Sequence, residues 1–328
     1  MRILITGGAG MLGRKLTRRL VDRGRLRGES IDAIDLVDLV EAPVDSGLCA
    51  THAADLSRSG IAEALVSLRP DVVFHLAGVV SGEAEADFDK GMRVNLDGTR
   101  QLFDAIRLAP GAPRVVYTSS IAVFGAPFPD PIPDDFHPTP LTSYGTQKLI
   151  GEALLADYSR RGFFDGVGIR LPTVSVRPGS PNAAASSFFS GIIREPLAGR
   201  EASLPVSRDV RHSHASPRAA VGFLVHAAEL DTSRLGPRRN LTMPGVSVTV
   251  AEQIEALGRV AGPEAVGLIR EEADPVVAAI VAGWPERFDA ARASSLGFEA
   301  DTSYDDIVRA YIEDDLDDSL IPSQSARI

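Results

Sequence analysis

A tyrosine and a lysine share the stretch Tyr144-Gly145-Thr146-Gln147-Lys148, and the apolar residues that follow it, through Tyr158, recur at helical spacing. Positions i and i+4 lie on one face of a helix, so the phenol and the ammonium can point into one cavity. A tyrosine titrates near ~10, and an adjacent cation favours its phenolate, which makes it a better base nearer neutrality. A second chemical signal lies at the start of the chain, where Gly7, Gly10 and Gly13 follow the run Arg2-Ile3-Leu4-Ile5-Thr6. Leu12, Leu16 and Leu20 then recur at helical spacing. Strand, glycine-rich turn and helix in that order let the backbone approach a pyrophosphate, which sits on the helix N-terminus.

These groups need elements to hold them. The second strand is expected over Ile31–Val40, with Asp38 at its tip and Asp35 one alternation short. A carboxylate there accepts hydrogen bonds from both adenine-ribose hydroxyls and repels a 2′-phosphate, so NAD is expected rather than NADP. Asp55-Leu56 follows a short apolar stretch and precedes a helix over Ile61–Leu68; it either reaches the adenine edge or caps that helix. The strand through Asp71–Gly78 ends in Leu76, Ala77 and Gly78, placed to contact a dinucleotide, while His75 within it reads as a packed residue. A long helix is expected over Asp87–Leu108, then a strand over Arg114–Ser120 running into Thr118, Ser119 and Ser120, and one more strand over Gly166–Leu171, ended by Pro172. Alternating strand and helix predicts a parallel sheet covered on both faces.

Beyond Thr173 the regularity weakens. Residues 178–187 read as a loop, Phe188–Ile193 begins a short apolar element, and Val210–His214 is extended. Ser216-Pro217 is a helix start, followed by a short strand at Asn240–Met243 and a helix over Val250–Val260. The last twenty residues are acidic and polar, and the final few are expected to fray. A cofactor domain over 1–172 and a smaller, mainly substrate-binding α/β domain over 173–328 are expected, with some later segments able to return to the first.

Composition bounds the function. The 328 residues are 44% hydrophobic and 24% charged, ordinary for a globular chain, and the net charge of −10 argues against non-specific nucleic-acid binding. The sole cysteine, Cys49, excludes an intrachain disulfide and suits a reducing compartment. No apolar stretch approaches the ~20 residues of a membrane span, so a cytoplasmic protein without membrane partners is expected. His212 and His214 would face one side of a strand, but no cysteine or further histidine lies nearby, so no metal is expected. Trp284, in Gly283-Trp284-Pro285, reads as packing.

Thr6-Gly7-Gly8-Ala9-Gly10-Met11-Leu12-Gly13, Asp38, Asp55-Leu56, His75-Leu76-Ala77-Gly78, Asn95, Thr118-Ser119-Ser120 and Tyr144 to Lys148 occur in an order that resembles the extended short-chain dehydrogenase/reductases, the NAD-dependent epimerase/dehydratase group. The resemblance implies a Rossmann-type doubly wound parallel sheet, bound NAD and a catalytic group of Ser120, Tyr144 and Lys148. It implies cofactor contacts from Gly7, Gly10, Met11, Leu12, Gly13, Asp38, Asp55, Leu56, Leu76, Ala77, Gly78, Thr118, Tyr144, Lys148, Pro172 and Val174. Ser81 joins Ser120 and Tyr144 as a substrate residue, and homodimers would form through helices 87–108 and 144–161. Sugar-nucleotide members carry an Asp-Asp pair where this chain has Ser216-Pro217. The stretches Arg170–Gly179 and Asn182–Leu197 are instead similar to members that oxidise a four-carbon sugar acid at C2 to the 2-oxo acid. An acidic substrate calls for an arginine, and Arg177 ranks ahead of Arg194, Arg208 and Arg211 because it follows the sixth strand. The competing readings are a uronate dehydrogenase, a sugar-nucleotide epimerase or dehydratase that returns the hydride, and a non-catalytic NAD-binding scaffold.

Overall fold

Five apolar runs become parallel strands because each is covered on both faces. They are β1 (Arg2–Thr6), β2 (Ala33–Asp38), β4 (Val72–His75), β5 (Arg114–Ser120) and β6 (Asp165–Leu171), and the half-exposed β3 (Cys49–Ala53) closes one edge. The computed structural model describes residues 1–179 and 186–316. The sequence readings of a loop across 180–185 and of a frayed end beyond residue 316 lie outside the described residues.

Three strands of the second half follow: β7 (Thr173–Val174), β8 (Arg211–Ala215) and β9 (Asn240–Thr242), with β10 (Val246–Thr249) after them. The central sheet runs β9-β6-β5-β4-β1-β2-β3 and every pairing in it is parallel. Strand order reverses between β1 and β4, which opens a crevice at their carboxyl ends. One face is covered by α1 (Met11–Arg23) and α8 (Pro217–Glu229), the other by α2 (Ile61–Val66), α5 (Gly98–Leu108) and α6 (Ser143–Arg160).

Asn240–Thr242 pairs with β6, and α8, Leu241, Met243, Ala293, Leu296 and Phe298 pack into the sheet's own core. A second core joins α7 (Ser187–Leu197), α9 (Val250–Ala261) and the helix Tyr304–Asp314. Against it lies a small sheet, β7-β8-β10. Arg114, at the start of β5 and nearly fully buried, ties α8 to the sheet. Its Nη1 donates to the carbonyls of Ala227, Ala228 and Leu230 at 2.8, 3.0 and 3.0 Å, and its Nη2 meets Asp165 at 2.8 Å. The carbonyls at a helix C-terminus have no partner within the helix, and a guanidinium supplies one.

Several boundaries differ from the sequence reading, among them the strand read through Asp71–Gly78, which spans Val72–His75. The second strand is Ala33–Asp38 rather than Ile31–Val40, with Leu39 and Val40 exposed beyond it. The helix expected over 61–68 ends at Val66, and Arg69 takes a positive φ of 55° before Pro70. The helix expected over 87–108 is not uniform: a short α4 (Phe88–Gly91) passes into a π-helical turn, Met92–Asp97, before α5. The sequence reading places no element over the helix Tyr304–Asp314, which buries Tyr304, Ile307, Val308 and Tyr311. Its apolar residues recur every three or four positions among the acids, and that stripe holds it to the second core.

Candidate active site

The glycine loop is shaped by backbone contact. Gly7 has φ 75°, and the N–H groups of Gly7 and Gly8 donate to the Val37 carbonyl at 2.8 and 3.1 Å. A Cβ on Gly13 would lie 2.2 Å from the Gly7 carbonyl oxygen, so α1 can start against the loop only with glycine there. A Cβ on Gly7 would lie 2.8 Å from the amide nitrogen of Ala77, which brings the end of β4 onto the same loop. The first turn of α1 has no acidic residue, leaving its N-terminal amides and dipole suited to an anion.

Asp38 ends β2 beside this loop: its carboxylate accepts from the N–H of Ala9 at 3.0 Å and of Leu39 at 2.7 Å. Asp35, the alternative, is buried and occupied by Arg2 at 2.7 Å and His52 at 3.1 Å. Ala53 ends β3 opposite Asp38, and Asp55 just beyond it accepts from both the N–H and the hydroxyl of Ser57. The Ser57 hydroxyl holds the Asp55 carboxyl below its ordinary range. Asp55 thus closes its own turn, the N-cap of α2 being Gly60, and Leu56 is buried beneath it. A backbone cradle that any Cβ would fill, an anion-ready helix start and a carboxylate at the tip of β2 together fit a dinucleotide.

Two further glycines set α6. A Cβ on Gly145 would lie 2.1 Å from the Ala122 carbonyl oxygen, and one on Gly151 would lie 2.2 Å from the Tyr117 hydroxyl. Their absence lets the helix descend on β5 and brings Tyr144 to Ser120, whose hydroxyl hydrogen-bonds the phenol. Thr142 caps the helix by accepting from the Gly145 N–H at 3.0 Å. Lys148 is 4% exposed; its Nζ donates to the Thr118 carbonyl at 2.8 Å and lies 5.1 Å from the centre of the Tyr117 ring and 5.8 Å from that of Tyr144. Burial pushes Lys148 down to about 8, against the opposing effect of Glu152. Burial also pushes Tyr144 up to about 12, outweighing the Ser120 hydrogen bond. The net direction for the tyrosine is thus opposite to the one its spacing from Lys148 suggested: desolvation of the phenolate is the larger effect.

Gly78 closes on this group, since a Cβ there would lie 2.9 Å from Asn95 Oδ1 and 3.6 Å from Lys148 Nζ. Asn95, inside the π-helical turn, accepts from the Val79 N–H at 2.9 Å and donates to Gln147 Oε1 at 2.8 Å. Such turns recur at functional sites. Ser81 opens α3 (Ser81–Ala86) half-buried beyond Gly78. His75 is buried as expected, bonded to Thr6 and Thr99 at 2.7 and 2.8 Å and pushed down to about 3 by desolvation. Sequence reasoning missed the buried pair beneath Lys148, in which Arg170 meets Glu152 at 2.9 and 2.7 Å. The readable signal was Glu152 itself, one turn after Lys148 on a face otherwise destined for burial.

Pro172 and Val174 flank the end of β6, with Val174 paired to Ala215 of β8. Of the four arginines, Arg194 is buried against Glu195 and the Arg177 carbonyl, Arg208 pairs with Glu271, and Arg211 pairs with Glu252. Among the described residues only Arg177 of these four has no carboxylate partner; its Nη2 reaches the Ser186 hydroxyl at 3.4 Å. His212 and His214 are both buried, their rings packed on Phe189 and bonded to Thr173 and Ser175. Trp284 packs on His212. Among the described residues no group of three or more His, Cys, Asp or Glu could hold a metal ion. Ser216 caps α8 by accepting from Ala219 and donates its N–H and hydroxyl to Asp301, both at 2.7 Å, so Ser-Pro serves as a helix start.

The sequence pattern of the NAD dependent epimerase/dehydratase family matches residues 3–228. A D-erythronate dehydrogenase of Cupriavidus necator is 50% identical over 320 residues, 96% of this chain and 98% of that one. A second, from Haemophilus influenzae, is 38% identical over 96% of this chain and all of its own length. A solved structure from Agrobacterium tumefaciens, described as a nucleoside-diphosphate-sugar epimerase, is 61% identical with a TM-score of 0.93, covering 96% of this chain and 94% of that one. With the family pattern matched over more than half of its length, the chain belongs to the NAD-dependent epimerase/dehydratase family.

Proposed function

We propose that this protein is an NAD-dependent dehydrogenase that oxidises the C2 hydroxyl of a small sugar acid, D-erythronate, to 2-dehydro-D-erythronate. The observation that carries the reading is the likeness to D-erythronate dehydrogenases over nearly the whole chain, including the second half that would meet the substrate.

NAD, when bound, supplies the acceptor for the hydrogen that leaves C2 with its electron pair. Gly7, Gly10, Gly13, Met11 and Leu12 would hold its pyrophosphate. Asp38 would hold the adenine ribose, and Asp55 and Leu56 the adenine edge. Leu76, Ala77, Gly78, Thr118, Pro172 and Val174 would line the other half. Ser120 would hydrogen-bond the reacting oxygen and fix it beside Tyr144, which takes the hydroxyl proton as phenolate. The ammonium of Lys148 would offset part of the burial that pushes the Tyr144 phenol up, and would orient the adjoining ribose. Ser81 would border the substrate, and Arg177 would meet its carboxylate, the role best suited to a desolvated guanidinium without a carboxylate partner among the described residues.

The proposed assembly is a homodimer through helices 87–108 and 144–161, supported by the exposed Phe88, Leu141 and Ile150 along that face. A cytoplasmic setting accords with Cys49 as the sole cysteine, and no described helix is long and apolar enough to cross a membrane. The test is a panel of four- to six-carbon aldonates and uronates with NAD, read by NADH absorbance. D-erythronate should give the highest kcat/KM, and Y144F should lose about 10² to 10⁴ of the turnover while still binding NAD. A uronate preferred over every aldonate would favour the uronate dehydrogenase. Epimerisation of a sugar nucleotide without net NADH, the activity named for the Agrobacterium tumefaciens structure, would overturn the proposal.

A further inference from the structure

Tyr144, Lys148 and Glu152 stand at successive i+4 positions of α6, and the last two are 4% and 2% exposed. Two buried charges on one helix face lie within interaction range of each other. Glu152 is also fixed from outside the helix. Its Oε1 accepts from the Ser119 hydroxyl at 2.5 Å and from Arg170 Nε at 2.9 Å, and its Oε2 accepts from Arg170 Nη2 at 2.7 Å. Ser119 and Arg170 are direct neighbours on β5 and β6, and the Arg170 guanidinium lies 4.9 Å from the centre of the Phe124 ring. One carboxylate thus joins the helix carrying Tyr144 and Lys148 to the strand end carrying Ser120. A buried ion pair of this kind adds little stability over apolar residues of the same size, so stability alone is a poor account of it.

We infer that Glu152 is a positioning residue for the reacting pair: held by Ser119 and Arg170, it supplies the buried negative charge that keeps the Lys148 ammonium in place beneath Tyr144. The groups facing Lys148 are few. Tyr144 and Glu152 lie on its own helix; the Tyr117 ring and the Thr118 carbonyl come from β5, and His75 from β4. His75 is neutral at ordinary pH and Tyr117 is pushed well above its ordinary value, which leaves Glu152, one helical turn on, as the carboxylate acting on Lys148, with Arg170 paired to that carboxylate.

The inference rests on the reading of Tyr144 and Lys148 as the reacting pair, but its test is independent of turnover. The chain has only three lysines, Lys15, Lys90 and Lys148, so ¹³C-lysine labelling of the cofactor-free protein gives three ε-carbon signals whose titration is followed directly by NMR. In E152Q the Lys148 midpoint should fall by about one pH unit or more, the effect of removing an opposite charge at such range. E152D should restore part of the shift, and Lys15 and Lys90 should not move. Should E152Q fail to fold, E152Q/R170M removes both charges together and should still lower the midpoint, because Glu152 is the charge that acts on Lys148. An unchanged Lys148 midpoint in the folded variant would overturn the inference, whatever the substrate proves to be. A wild-type protein inert toward every sugar acid, with the shift present, would instead overturn the proposed function and leave the electrostatic assignment standing.

Discussion

Replacing Lys148 with methionine measures what it costs to keep a cation in the core. The side chain is 4% exposed, and its ammonium is held by the Thr118 carbonyl and by the charge of Glu152. Burial pushes its midpoint down to about 8 in the folded chain against an ordinary 10.5. That depression corresponds to about 3 kcal/mol of pH-dependent stability. Below about 8 both the folded and the unfolded chain carry the proton, and the fold bears the whole burial cost. Between about 8 and 10.5 the unfolded chain binds a proton that the folded chain does not, so wild type gains stability as pH rises through that window. K148M has no such group and leaves Glu152 paired with Arg170. Urea unfolding of both proteins between pH ~7 and ~11 should therefore show wild type gaining about 3 kcal/mol relative to K148M. Turnover should be lost at every pH. A difference that stays flat across the window to within about 0.5 kcal/mol would refute the claim that burial depresses this lysine.

The cofactor cradle and the substrate end give further expectations. G13A places a Cβ against the backbone of Gly7 and Gly8, with no flexible side chain to yield; it should cost at least about 1–3 kcal/mol and abolish tight NAD binding, read by thermal melting and calorimetry. D38A frees the Ala9 N–H and removes the ribose acceptor, so NAD affinity should fall by about 10- to 100-fold while NADP affinity holds or rises. An equal loss for both cofactors would argue against Asp38 as the discriminating group. R177A should raise the KM for the sugar acid by about 10- to 100-fold with NAD binding intact, and an unchanged KM would send the search for the carboxylate's partner elsewhere.

Much of the first half was legible because a strand buried on both faces must be apolar throughout and must be punctuated. Arg114–Ser120 falls where the sequence put it, and the glycines at 7 and 13 each answer to a contact that any side chain would break. What local pattern could not show depends on distant partners. Nothing in Asn240–Thr242 says that it will pair with β6 rather than with its neighbour in sequence, and the pairing is set by residues seventy positions earlier. The Glu152–Arg170 contact joins a helix to a strand across a turn, so neither residue carries a periodic signal of the other. Tyr144 shows the same limit in its energetics. Spacing placed the lysine correctly, but burial, which only the folded chain defines, decides which way the phenol shifts.

The return of α8 and β9 to the central sheet also constrains motion. The chain leaves the sheet's core after β6, comes back for α8 and β9, leaves again at β10, returns at Ala293 to Phe298, and then adds the helix Tyr304–Asp314 to the second core. A pair of bodies joined by one linker can swing open about a single pivot. Here every crossing strand is a separate tether, and Arg114 clamps α8 at the far end of the sheet. Any closing over a small substrate must be a rotation that all the tethers accommodate together, which favours a slight rocking around a fixed crevice over a wide gape.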